Sequence, residues 1–426
     1  MSNQSNLKEF TSDEDELDES RKWKLYRNLQ KLKLYYFLRG AGFVVAVFVP
    51  FLKGFGLTLS EILILQAVFG AALCFLEVPS GYYSDVYGRR SALIIGSICL
   101  TLGFSVYTIS SGFWGFLIGE LVLAVALSFI SGADTAMTYD TLVELELESE
   151  FRRVKSSQSF YMNLSGGVAG CLGSWFLEHV WRLPVMLETA CYALTIPLAI
   201  SLVEPARVKL SNSRGVFRGI LDVIGETAKL QPLVRQTILV SAIVGVSTLA
   251  AFWLSQSWQQ EAGLPVAAFG IAYAILRLSV AASSLVAFRV VDLLGYYRMV
   301  LLCIALVATG YFVTAGFSVI WAVPVLICFS IVRGFGIVVF SEKLNDLLPS
   351  DRRSTILSLE SLICRLMFVP LAPLLGYLAD GYGIKWALYL CGGLFPLATG
   401  FLLYLSWRVE NTPMAPVVAL GKAAET

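Results

Sequence analysis

Apolar runs of about 20 residues recur along almost the whole chain, separated by short breaks rich in Gly, Pro and charge. A run of that length is what an α-helix needs to cross ~30 Å of hydrocarbon at ~1.5 Å per residue. The breaks predict twelve spans near residues 30–52, 59–82, 91–111, 113–138, 157–180, 183–203, 234–257, 266–289, 298–317, 319–343, 354–378 and 385–407. The pattern is that of an all-α membrane protein. Its longest interior break follows the sixth span, which divides the chain into a tail (1–29), a six-helix bundle (30–203), a linker (204–233), a second six-helix bundle (234–407) and a second tail (408–426). Within the linker, "GVFRGILDVIGETAKL" spaces Val216, Phe217, Ile220, Leu221 and Ile224 along one helical face with charges opposite. That predicts a helix lying on the membrane surface.

Composition agrees with the pattern. Of 426 residues, 57% are apolar and 15% charged, against a usual ~45–50% and ~25%. The net charge of +1 offers no field for nucleic acid, but the placement of charge is informative. The tails, the connections on their side and the span ends that meet them hold 25 of the 32 Lys and Arg residues; the opposite connections hold only Lys53, Arg182 and Lys385. Positive loops stay in the cytoplasm, so both termini are expected there, in a multi-pass protein of the cytoplasmic membrane. The eight Cys lie in apolar runs without CxxC spacing and away from the one His, His179, and read as small buried side chains, not disulfides or a metal centre. With no P-loop and no nucleophile elbow, neither an enzyme nor a cofactor is expected.

The two halves repeat. "SGADTAMTYDTL" (131–142) aligns with "RGFGIVVFSEKL" (333–344), setting Asp140 opposite Glu342. Asp292 and Gly295 repeat the spacing of Asp85 and Gly88, and "GYLADGYG" (376–383) echoes "GYYSDVYG" (81–88). Such internal repeats are characteristic of secondary transporters.

One loop is more specific. "EVPSGYYSDVYGRR" (77–90) resembles the signature loop of the major facilitator superfamily between its second and third helices, with Gly81, Asp85, Gly88, Arg89 and Arg90 all in pattern. The resemblance covers about residues 30 to 408 and implies two pseudo-symmetric six-helix bundles working by alternating access. It implies roles too: Gly81 would allow close helix approach, Asp85 would cap the start of the eleventh span, and Arg89 would bind Asp140, latching the halves together on the cytoplasmic side. Asp292 and Glu342 would serve the same gate in the second half, where Phe288, Tyr296 and Tyr297 replace the Gly and the Arg pair. "SGGVAGCLG" in the fifth span resembles a glycine-rich exporter motif but lacks its Pro, and reads first as a packing face.

Charges inside the spans point to the site, since a central Arg or Asp costs roughly 2.5–3.5 kcal/mol on insertion scales. Counted along the helical rise, Arg39, Glu77 and Asp134 share one depth, and Arg277, Arg333 and Arg365 share another near the midplane, with Glu360 slightly inward. In the family the first and fourth spans line the cavity, which favours Arg39 and Asp134; Glu77 is expected to bind backbone or Arg39. The second-half wall is expected to be net positive, and Arg suits a carboxylate or phosphate. The expected substrate contacts are Arg39, Asp134, Arg277, Arg333 and Arg365, while Glu77, Asp134 and Glu360 are the acids able to titrate when buried. The expected function is secondary active transport of an anionic or zwitterionic solute, proton-coupled, by a monomer in the bilayer. Two other readings fit the same residues: an efflux pump for lipophilic cations, and a transporter-like receptor without flux.

Overall fold

The structure, a computed structural model, describes residues 19–206, 230–348 and 353–411, the side chains of 353–358 excepted. The predicted linker helix lies outside these residues. Among them are fourteen α-helices and no strand: α1 (Glu19–Gly40), α2 (Phe48–Lys53), α3 (Leu59–Tyr87), α4 (Arg89–Ile109), α5 (Phe113–Ile130), α6 (Ala133–Glu144), α7 (Phe151–His179), α8 (Leu183–Ser201), α9 (Pro232–Glu261), α10 (Val266–Leu294), α11 (Tyr296–Gly316), α12 (Ile327–Leu347), α13 (Arg353–Tyr382) and α14 (Ile384–Asn411). In lipid every backbone amide must bond internally, which helices achieve along their whole length.

Among the described residues, eleven segments are long and apolar enough to cross a membrane. The twelfth long helix, α7, opens on Arg152, Arg153 and Lys155 and is less apolar. The spans expected to be continuous are in two places interrupted. The first consists of α1, a non-helical stretch after Gly40, a 3-10 turn at Val45–Val47, and α2. The fourth is broken between α5 and α6, where Gly132 takes φ +79°, a left-handed value natural to glycine.

The two bundles meet along two seams, α3 against α13 and α7 against α10. Both seams close on glycine. A Cβ on Gly270 would meet Cys171 Cα at 2.5 Å and overlap the Gly170 carbonyl, and one on Gly376 would overlap the backbone of Ser60. Small residues let helices approach closely where apolar burial provides no drive. At Gly81, by contrast, a Cβ would meet nothing within 4 Å in the described structure, so the close approach expected there is made at Gly376 and Gly270 instead.

Candidate functional site

Arg39 lies at the end of α1 and Asp134 in the first turn of α6. Arg39 Nη1 donates to Asp134 Oδ2 at 2.7 Å, and the other carboxylate oxygen accepts from Thr135 Oγ1 at 3.0 Å. Lys155 of α7 joins them, donating to Tyr36 Oη at 2.8 Å and Thr135 Oγ1 at 2.7 Å, with its ammonium 4.8 Å from the Tyr36 ring. One carboxylate is thus bonded by Arg39 and linked to Lys155 through the Thr135 hydroxyl. Lys155 escaped the sequence reading because it precedes the fifth apolar run and reads as a loop charge; the helix in fact starts earlier and carries it inward.

Glu77 does not join this cluster. It accepts a hydrogen bond from Arg365 across the α3–α13 seam, so Arg365 is already engaged by an acid of the opposite half. Glu360 accepts from Ser241 Oγ at 2.5 Å. On the other seam, Arg277 donates from Nε to Tyr273 Oη at 2.7 Å and from Nη1 to Asn163 Oδ1 of α7 at 3.0 Å. Arg333 is exposed, lies close enough to Arg277 to feel its charge, and bonds no acid among the described residues. The expected trio therefore reduces to two uncompensated guanidiniums.

The signature loop is built around Gly88, at φ +122°, where an added Cβ would press on Glu204 Oε1 at 3.0 Å. Glu204 caps α4 by accepting from the Arg89 and Arg90 amides at 2.8 Å each. Arg89 pairs with Asp85 and stands 3.6 Å from Asp140 through Nε, an ion pair without a hydrogen bond at that distance. Arg90 donates to the Ile200 carbonyl from Nε at 3.2 Å. The contact expected between Asp85 and the start of the eleventh span falls on residues outside the described set. Asp292 and Glu342 are exposed and take no ion pair among the described residues; at that place Lys343 pairs with Glu410 at 3.2 Å and Tyr297 donates to Glu410. Arg89→Ala and Asp140→Asn are each expected to lower turnover several-fold while leaving expression and ligand binding intact. Solute flux in proteoliposomes, beside gel filtration of the purified variants, measures both.

At the end of the molecule opposite the termini, the halves are joined by carboxylates on helix starts. Asp380, at the end of α13, accepts from the Leu59 and Ser60 amides of α3 at 3.1 and 2.7 Å. Glu178, at the end of α7, accepts from the Ala267 amide of α10 at 2.8 Å. Spans two and eight, and five and eleven, correspond in the internal repeat, so the two caps are counterparts. Each satisfies orphan amides at a positive helix end. Gln256 adds a bridge, accepting from the Val49 amide at 2.9 Å and donating to the Val45 carbonyl at 3.1 Å.

Two further acids are buried and were not singled out from sequence, since each is a single letter inside an apolar run. Glu120 accepts from Tyr107 Oη and Gln66 Nε2, both at 2.6 Å. Glu188 accepts from the Val44 amide and from Tyr192 Oη.

A bundle of two repeated halves, closed at one end over intramembrane charges, defines a membrane transporter. The sequence model of the Major Facilitator Superfamily matches residues 34–367, and the chain belongs to that family. It is similar to the uncharacterized MFS-type transporter YhcA of Bacillus subtilis (strain 168), 24% identical over 181 residues, covering 39% of this chain and 33% of that protein. The chain thus spans about one third of that relative's length. The quinolone resistance protein NorA of Staphylococcus aureus (strain MRSA252) is 18% identical over 306 residues, covering 70% of this chain and 75% of its own length. Among solved structures, a bacterial homolog of the human lysosomal transporter Spinster, inward-facing and unoccupied, superposes with TM-score 0.72 at 14% identity, covering 92% of this chain and 99% of that one. The nucleoside transporter NupG superposes with TM-score 0.68 at 13% identity, covering 90% of this chain and 99% of that one. These likenesses establish the fold.

Proposed function

We infer that the protein moves a small organic solute bearing a carboxylate or phosphate across the cytoplasmic membrane by alternating access, coupled to protons, with both termini cytoplasmic. One observation carries the substrate class. Arg277 and Arg333 stand together on the second-half wall, held by neutral groups or by none. Around the site as a whole, the five cations Arg39, Lys155, Arg277, Arg333 and Arg365 face the three acids Asp134, Glu77 and Glu360. An anion completes that charge balance, and guanidiniums offer it paired donors.

The test is a ligand panel of organic anions and lipophilic cations, scored by thermal shift and then by calorimetry. Anions are expected to stabilise the wild type. Arg333→Gln and Arg277→Gln should each weaken anion binding by roughly 1.5–3 kcal/mol per charge-assisted bond lost. Unchanged affinity in both variants, or selective binding of cations, overturns the anion reading. Drug efflux is the second reading, suggested by the similarity to a quinolone resistance protein; for a lipophilic cation, Asp134 and Glu77 would bind the substrate.

A further inference from the structure

The interruption of the first span needs acceptors for the backbone amides it frees, because those groups no longer reach a carbonyl one turn back. Glu188 of α8 supplies one. Its side chain is buried, at 3% exposure, with Oε2 accepting from the Val44 amide at 2.9 Å and Oε1 from Tyr192 Oη at 2.8 Å. The break itself is pressed against α7, where a Cβ on Gly173 would overlap the Phe43 carbonyl. No cation bonds Glu188 among the described residues. The titratable groups around it are Tyr192 and Cys191 of its own helix and Arg39 of α1, whose guanidinium is committed to Asp134. The neighbouring face of α4 presents Phe104 and Thr108 to the adjacent Tyr192 and Thr189, and α7 presents glycines. Asp134 and Glu77 each have an Arg partner, whereas Glu360 and Glu120 bond side chains of continuous helices. Glu188 alone in this group accepts from a backbone amide within a break.

We propose that Glu188 is a proton-binding site whose occupancy sets the geometry of the break in the first span, and through it the position of Arg39. The inference rests on the proton-coupled reading above and names its site. When ionised, the carboxylate holds the Val44 amide and the Tyr192 hydroxyl, with the Phe43 amide of the same break beside them. A proton taken from water onto Oε2 displaces the Val44 amide, which can only donate. On Oε1 it turns the Tyr192 hydroxyl into an acceptor and leaves Val44 a neutral carbonyl, about half as strong as a charge-assisted partner. Either way the hold on Val44 weakens, five residues beyond Arg39, and proton release restores it.

The experiment needs no substrate. Hydrogen exchange of peptides covering residues 40–48, corrected for the intrinsic pH dependence of exchange, is followed in the full chain in lipid nanodiscs. The infrared band of protonated carboxyls is titrated in parallel. In the wild type, exchange at the break should rise about tenfold as pH falls, equivalent to about 1.4 kcal/mol, with the same midpoint as the infrared band. Glu188→Gln should exchange fast at every pH and lack the component of the band that titrates with the break; Glu120→Gln should keep the transition. Tyr192→Phe removes one donor and should move the midpoint, which keeps the test sharp if Glu188→Gln does not fold. A pH-independent break in the wild type, a transition retained in Glu188→Gln, or an unmoved midpoint in Tyr192→Phe overturns the assignment. Proton-driven flux with a silent break would remove Glu188 and leave the coupling reading standing. A titrating break without proton-driven flux would do the reverse.

Discussion

Asp134→Asn is expected to destabilise the protein more than Arg39→Gln, although the two residues form one ion pair. Breaking a buried pair from one side costs about 3–5 kcal/mol, because the remaining charge is stranded away from water. Here the strandings differ. Without Asp134, Arg39 and Lys155 face each other across the Tyr36 ring with no carboxylate between them. Without Arg39, Asp134 still has Lys155 within reach through Thr135. The Asn variant should therefore fall at the upper end of that range and the Gln variant at the lower. The charge-swapped double variant, Arg39→Asp with Asp134→Arg, should recover only part of the loss, since the new Arg would stand beside Lys155. Thermal unfolding of the four proteins as a double-mutant cycle measures the coupling. Additive losses, or equal losses in the two single variants, would contradict this account.

How far such a pair was legible in sequence follows from what helical geometry fixes. Rise per residue sets depth, so Arg39 and Asp134 could be matched by counting from the ends of their spans. Azimuth was not legible. Glu77 lies at the same counted depth but faces α13, and it took Arg365 as its partner in place of Arg39. The same limit explains the glycines: Gly81, Gly270 and Gly376 look alike as letters, yet only the last two stand against another backbone. Interruptions were hidden for a different reason. The stretch after Gly40 is as apolar as a helix, and it is held open by Glu188 and Gly173, each 130 or more residues from the backbone it meets.

The largest functional effect is expected at the seams. Gly270→Leu and Gly376→Leu each place a side chain where a backbone of the opposite bundle now lies, in the closed end that Asp380 and Glu178 cap. Within a single core, overpacking costs about 1–3 kcal/mol. A seam between bundles has another outlet, because the halves can part and leave each fold intact. The expected result is a shift toward a state open at the end opposite the termini, together with loss of turnover, since alternating access needs both closures. Moving a two-state equilibrium from 1:99 to 99:1 takes about 5.5 kcal/mol, so one substitution should bias the balance and the double variant should complete it. Cys171, half-buried on α7 beside Gly270, is a native reporter. A membrane-impermeant maleimide should label it faster in Gly376→Leu, even though that change lies on the other seam, which separates opening of the whole end from a local disturbance at α7. Wild-type labelling of Cys171 and normal flux in Gly376→Leu would mean that the two glycine seams do not form a gate.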